Sequence, residues 1–191
     1  MFPVGGYEVM LLGAVVAGVF WLIVGLGLGR LLGISGWAMA ALLWTLTVIA
    51  LVTLIPASAD PGIVPAETRL AGCSTDIGGP APDGFWIFSG GQRLLNTVAF
   101  LPSGALLVVA AARWRSAWLT VPVGLLGLAV YSVGIEYTQL ELARIDRACD
   151  LTDVIDNTTG AVLGVGVGIL LALVLRPWRG RRPRGGSPRA Y

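Results

Sequence analysis

The stretch SVGIEYTQLELARIDRACDLTDVIDNTTGAVLGVGVG, residues 132–168, begins inside one apolar run and ends inside the next. Between the two runs it carries a concentration of charged and amide side chains: Glu136, Gln139, Arg144, Arg147, Asp150, Asp153, Asp156 and Asn157. Ionisable groups are costly at membrane depth and usually mark functional sites there. The flanking runs therefore indicate the fold, and the polar residues between them indicate a candidate site.

The composition is that of an integral membrane protein. The 191 residues are 55% hydrophobic and 13% charged, with a mean hydropathy of +0.80, whereas a soluble domain is about a quarter charged. The chain has no histidine, and all 13 basic residues are arginine. This excludes a histidine-ligated metal, a histidine base and a lysine Schiff base. We expect no nucleic-acid partner.

Five apolar stretches approach or exceed the roughly 20 residues that a membrane-spanning helix needs. The sequence predicts an all-α, polytopic bundle of about five transmembrane helices, at approximately 9–29, 36–56, 94–112, 117–139 and 154–175. We expect residues 1–178 to form one transmembrane domain in a lipid bilayer. Residues 179–191 are predicted to be a disordered, basic cytoplasmic tail.

The arginine distribution predicts the orientation of the bundle. One set of connections, with the C-terminal tail, contains nine arginines and no acid: Arg30, Arg113, Arg115, Arg176, Arg179, Arg181, Arg182, Arg184 and Arg189. The other set contains four arginines and all 11 acidic residues. Arginine-rich connections stay in the cytoplasm. The N-terminus is therefore predicted outside and the C-terminus inside.

The two cysteines, Cys73 and Cys149, both fall on the predicted outer side. An oxidising compartment permits a disulfide between them. The alternative is two unpaired thiols, because sequence does not give the separation that a disulfide requires.

A polar and glycine stripe runs along the fifth predicted helix. Its members lie within an arc of about 80° at 100° per residue: Asp150, Asp153, Asn157, Gly160, Gly164 and Gly168. Glycines at this spacing let a neighbouring backbone approach closely. The neighbour is either another helix of the same chain or a second copy, so the oligomeric state stays open.

Three predicted helices bring polar groups to the same depth near the outer side. The third contributes Asn96, the fourth Glu136 and Gln139, and the fifth Asp153 and Asn157. With Arg147 and Asp150 from the outer connection, these residues form the predicted binding site. Arginine recognises carboxylate or phosphate with two bonds, which makes Arg147 the candidate anion clamp.

Two chemical roles follow from the carboxylates. Glu136, next to apolar surface, is the candidate catalytic acid or base. Glu136, Asp150 and Asp153 together are the candidate ligands of a divalent cation such as Mg²⁺ or Ca²⁺. No other cofactor is expected.

The same residues have a structural interpretation. Asp150 is a natural helix N-cap, and amides such as Asn96, Gln139 and Asn157 can hydrogen-bond across helices. Glu136 and Arg147 can form a permanent buried ion pair. Asp156 and Glu141 are expected to point away from the stripe and to have structural roles.

Three motifs give the sequence a family resemblance. NTVAFLPSG has the pattern N-x3-F-x-P-x-G from Asn96, SVGIEYTQ has E-x-x-Q from Glu136, and RACDLTDVIDNTTG has R-x-x-D-x-x-D-x3-N-x2-G from Arg147. Together they resemble the VanZ-like family of small bacterial membrane proteins. The resemblance covers about the last two-thirds of the membrane region.

The resemblance implies a multi-pass protein of the bacterial plasma membrane with a cell-envelope role, in a family associated with reduced teicoplanin susceptibility. Our first hypothesis is a binding protein whose outer-leaflet pocket recognises an anionic lipid-linked or lipopeptide-like group. The second is an enzyme acting on a lipid head group or lipid phosphate, which is the less favoured interpretation. The third is a small proton-coupled transporter that uses Glu136.

Overall fold

The computed structural model describes residues 5–56, 72–75, 91–141 and 149–180. Five long helices fill most of these ranges and confirm the predicted all-α bundle: α1 (Tyr7–Leu32), α2 (Ile34–Leu54), α3 (Gly91–Ala111), α4 (Ala117–Glu141) and α5 (Leu151–Leu175). A short 3₁₀-helix, Pro177–Gly180, follows α5. All five long helices are long and apolar enough to cross a membrane, so the chain is a multi-pass membrane protein.

The observed helices overlap the predicted spans, with ends that differ by three residues or fewer. The start of α5 shows why the ends differ. It begins at Leu151 because the Asp150 side chain caps it, accepting a hydrogen bond from the Thr152 N–H at 2.9 Å. Counting apolar residues misses such polar first turns. Of the predicted tail, residues 181–191 lie outside the described part of the chain.

Helices α1 and α2 form a hairpin at the edge of the bundle. The turn is at Gly33, whose φ of 63° is left-handed, a conformation that glycine adopts at little cost. Gly36 lies so close to the Leu28 carbonyl that a Cβ would overlap the α1 backbone. The Trp21 indole N–H donates to Thr47 Oγ1 at 3.1 Å. Much of α1 exposes apolar side chains, as a lipid-facing helix does.

Helices α3 and α5 are in direct backbone contact at the centre of the bundle. Four glycines each lie against a carbonyl group of the facing helix: Gly160 against Thr97, Gly164 against Leu101, Gly168 against Ala105, and Gly104 against Ala161. A Cβ at any of the four would overlap the facing backbone. The predicted glycine stripe is therefore covered by α3 of the same chain, so it does not form a free surface for a second copy.

The apolar core surrounds this contact. It is built from Ile49 of α2, Phe100 of α3, Leu128 and Ile135 of α4, and Ala161 of α5. Phe100, which belongs to the motif that begins at Asn96, is only 1% exposed. Its role in the described structure is packing.

The helix ends meet in two groups. The first turns of α3 and α5 and the last turns of α2 and α4 meet at one end. Here Cys73 and Cys149 form a disulfide, and we name it the disulfide end. At the other end the Arg113 guanidinium donates from Nη1 to the Leu32 carbonyl at 2.9 Å, and we name it the arginine end. The placement of the disulfide end outside the cell stays a prediction from the charge distribution.

Candidate functional site

A short covalent and hydrogen-bonded brace organises the disulfide end. Besides the Cys73–Cys149 bond, the Ser74 N–H donates to the Cys149 carbonyl at 2.8 Å and the Leu151 N–H donates to the Ser74 carbonyl at 3.0 Å. Cys149 is buried. Residues 72–75 are thereby joined to the first residue of α5, and the start of that helix is fixed on two sides.

Glu136 supports the same helix start from α4. Its side chain is buried, and its Oε2 accepts a hydrogen bond from the Asp150 N–H at 3.1 Å. Asp150 in turn uses Oδ1 to cap α5 at Thr152. Two of the predicted site residues thus hold the polar end of α5 in place. The structural interpretation predicted the Asp150 cap but not the bond between Glu136 and the Asp150 N–H. A catalytic role of Glu136 stays a prediction.

Two buried amides link neighbouring helices. Asn157 Nδ2 of α5 donates to Ser132 Oγ of α4 at 2.9 Å. Gln139 Nε2 of α4 donates to the Thr53 carbonyl of α2 at 3.0 Å. Both side chains are about 95% buried. Hydrogen bonds of this kind join transmembrane helices where apolar attraction is weak.

An ion pair that the sequence analysis did not predict joins α3 to α5. The Arg93 guanidinium donates from Nε to Asp156 Oδ2 and from Nη2 to Asp156 Oδ1, both at 2.8 Å. Asp156 has no exposed surface and the Arg93 side chain is 13% exposed. Asp156 precedes Gly160 by four residues, so it lies beside the glycine stripe and faces the same helix, α3, instead of pointing away. In the sequence, the only indications of this pair were that Arg93 directly precedes one apolar run and that Asp156 lies at the start of another.

The predicted cation ligands have hydrogen-bond partners in the described structure. In the ranges that the structure describes, no three His, Cys, Asp or Glu side chains are grouped so that they could hold a metal ion. Glu136 and Asp150 each direct a carboxylate oxygen to a backbone N–H. Asp153 is half-buried and accepts from Gln92 Nε2 at 3.5 Å. The divalent-cation site stays a prediction.

Asn96 differs from the other predicted amides. It lies in the first turns of α3, and its Nδ2 is buried without a hydrogen-bond partner among the described residues. Leaving a buried donor unpaired costs about 1–3 kcal/mol. Among the described residues the Ser103 hydroxyl, two turns deeper in the same helix, is the other buried side-chain group without a partner. Asn96 thus offers an unused donor three residues after Arg93 in α3.

Two predicted residues of the outer connection, Arg144 and Arg147, lie outside the described residues. The anion-clamp role of Arg147 and its pairing with Glu136 remain predictions. The described part of the site therefore consists of the first turns of α3 and α5, the last turns of α4, and the residues around the disulfide.

The family profile described as VanZ/LLP1 matches residues 42–174. The chain belongs to the VanZ/LLP1 family. The matched region begins in α2 and ends at the penultimate residue of α5, so it contains all three motifs that gave the resemblance. No curated protein and no solved structure matches the chain.

The VanZ/LLP1 motifs coincide with the contacts that build the disulfide end. In the described residues, the E-x-x-Q motif supplies Glu136 and Gln139, which hold α5 and α2 respectively. The motif around Asp150 supplies the N-cap, the Asn157 bond and Gly160 of the backbone contact. The motif at Asn96 supplies the unpaired amide.

Proposed function

We propose that this VanZ/LLP1 protein acts in the cell envelope, in the bacterial plasma membrane, as a binding protein. Its disulfide end would face the outside and recognise the anionic group of a lipid-linked or lipopeptide-like molecule. By binding such a molecule it would change the sensitivity of the cell to glycopeptides such as teicoplanin.

The unpaired Nδ2 of Asn96 is the observation that carries the proposal. A buried donor without an acceptor is unfavourable in the free protein. A ligand oxygen placed beside it would remove that cost, and a charged carboxylate or phosphate oxygen gives the strongest hydrogen bonds. The site therefore favours a ligand that brings its own anionic acceptor into the polar end of the bundle.

The residues around Asn96 belong to helix starts that are already fixed, which supports a role in binding without a large rearrangement of the helices. The disulfide, the Asp150 cap and the Glu136 bond fix the start of α5. The two-bond pair of Arg93 and Asp156 fixes the start of α3 against it. Less ordering entropy is then lost when a ligand binds.

Catalysis on a lipid head group and proton-coupled transport stay predictions. The described contacts favour neither of them. The backbones of α3 and α5 touch at four glycines, so no path for a substrate runs between these two helices. Glu136 is held by the Asp150 N–H, which is a position suited to a structural acceptor.

The test compares Asn96→Leu with wild-type protein in nanodiscs. Binding of teicoplanin and of a lipid-linked cell-wall precursor is measured for both, together with thermal stability. Leucine keeps a similar volume and removes the donor. We expect binding at least tenfold weaker, since a hydrogen bond to a charged group contributes about 1.5–3 kcal/mol, while stability is unchanged or increased.

Thr47→Val is the matched control, because it removes one interhelical acceptor between α1 and α2. It should leave binding unchanged. If Asn96→Leu binds both ligands as wild type does, the proposal is wrong. If it loses stability instead, Asn96 is part of the scaffold and the site lies elsewhere. The same variants, expressed in a deletion strain, test whether teicoplanin sensitivity follows binding.

A further inference from the structure

A pocket of about 370 Å³ lies at the arginine end, far from the site discussed above. It is formed where the α1–α2 turn, the end of α3 and the end of α5 meet. Three arginines and several apolar side chains line it, among them Arg113, Arg176, Arg179, Leu32, Val174 and Pro177. Its volume lies in the range of about 300–1,000 Å³ that is common for small-ligand sites.

Among the described residues, no acidic side chain lines this pocket. The acids of the described ranges, from Glu8 at the start of α1 to Asp156 early in α5, belong to helix turns at the disulfide end. The C-terminal ends of α1, α3 and α5 each bring a partial charge of about −0.5. The guanidinium groups of Arg176 and Arg179 exceed this sum, so the pocket is positive.

Backbone contacts position the three arginines at the pocket, while Arg176 and Arg179 remain exposed. Arg113 is fixed by its bond to the Leu32 carbonyl at 2.9 Å. Arg176 ends α5 with a φ of 50°, a left-handed position that glycine usually occupies at helix ends. The Arg179 N–H donates to the Arg176 carbonyl at 3.0 Å, in the first turn of the 3₁₀-helix that follows α5.

Arg176 has a left-handed backbone conformation that residues other than glycine uncommonly adopt. Glycine would satisfy the backbone there without strain, whereas the arginine adds a guanidinium to the lining of the pocket. Topology alone does not explain this, because an arginine one residue further along would count equally in the positive-inside bias.

The apolar part of the lining indicates what kind of anion fits. Val174 is 78% exposed and Ile34 is 41% exposed, so the wall of the pocket continues onto the lipid-facing surface. A soluble anion would contact only the arginines of the pocket. A phospholipid would contact the arginines with its phosphate and the apolar wall along α5 with an acyl chain.

We propose that this pocket binds the phosphodiester head group of an anionic phospholipid in the leaflet at the arginine end. Arg176 and Arg179 contact the phosphate, and Arg113 helps to shape the floor. Basic pockets between transmembrane helices are known to bind such head groups, and the guanidinium fork matches phosphate oxygens. The site is independent of the proposed function at the disulfide end.

The test uses delipidated, full-length protein and native mass spectrometry. Phosphatidylglycerol and phosphatidylcholine are titrated separately against wild type and Arg176→Gln/Arg179→Gln. Arg30→Gln/Arg115→Gln is the matched control, since it removes two exposed positive charges from the same end but outside the pocket. We expect the pocket variant to bind phosphatidylglycerol at least tenfold more weakly and the control to change less than twofold.

One further variant and one competition experiment complete the test. Arg176→Gly relieves the left-handed backbone, so it should fold at least as well as wild type and still bind phosphatidylglycerol more weakly. Inorganic phosphate alone is used as a competitor. Equal losses in both double variants, equal binding of phosphatidylcholine, or complete displacement by inorganic phosphate at the concentration of the lipid would overturn the proposal.

Discussion

Arg93 and Asp156 join α3 to α5 through two hydrogen bonds of 2.8 Å, and the carboxylate has no exposed surface. The pair lies just beyond the backbone contact that begins at Gly160. The two helices are thus joined by ionic hydrogen bonds in their first turns and by close packing below. The consequences for stability can be tested separately.

Breaking the ion pair should be costly. Asp156→Asn or Arg93→Gln leaves one charged group in a buried position, and we expect a loss of about 3–5 kcal/mol. The apolar double variant Arg93→Met/Asp156→Leu removes both charges and should recover most of that loss. Thermal unfolding in detergent measures all four proteins. A double variant less stable than either single one would contradict this account.

Substitutions in the glycine stripe should depend on which face of α5 they occupy. Gly160→Ala and Gly164→Ala place a methyl group on the α3 backbone, and such overpacking costs about 1–3 kcal/mol or more. Gly166→Ala is the matched control, because nothing lies within 4 Å of its added carbon.

Alanine is favoured over glycine in a helix by about 1 kcal/mol, so Gly166→Ala should be neutral or stabilising. The measurement is the unfolding midpoint of each variant in the same detergent. Equal effects at positions 164 and 166 would mean that the α3–α5 contact is looser than described.

Substitutions of Glu136 distinguish a structural role of this residue from a role in ligand binding. Glutamine keeps an oxygen that accepts from the Asp150 N–H, whereas leucine does not. Glu136→Leu should therefore lose about 1–3 kcal/mol, and Glu136→Gln clearly less. Unfolding and teicoplanin binding are measured on both. A stable Glu136→Gln protein that no longer binds would assign the carboxylate charge to the ligand site.

The predicted orientation is tested by single cysteines in a Cys73→Ser/Cys149→Ser background. Glu8→Cys lies at the disulfide end and Arg115→Cys at the arginine end. A membrane-impermeant maleimide added to intact cells should label the first and not the second. Labelling in lysed cells shows that both are reactive. The reverse pattern would place the disulfide end in the cytoplasm.

Much of the fold could be predicted because membrane helices are specified by apolar length. The stretch from Leu151 to Leu175 is apolar beyond its first two turns, and such a segment has few alternatives in a bilayer. The periodicity of Gly160, Gly164 and Gly168 also predicted a close helix contact. It did not identify α3 as the partner, because periodicity describes one helix and not its neighbour.

The site was less predictable, because the partner of a polar group is a property of the tertiary structure. Asn96, Gln139 and Asn157 are equivalent as amides in the sequence. In the described structure two of them have partners and Asn96 Nδ2 does not. The pairing of Arg93 with Asp156 connects residues 63 positions apart. No short motif contains both.

The disulfide makes a closed covalent ring. Cys73 precedes α3 and Cys149 precedes α5, so the ring contains α3 and α4 entire. A single proteolytic nick anywhere between the two cysteines would leave one molecule on a non-reducing gel and two fragments after reduction.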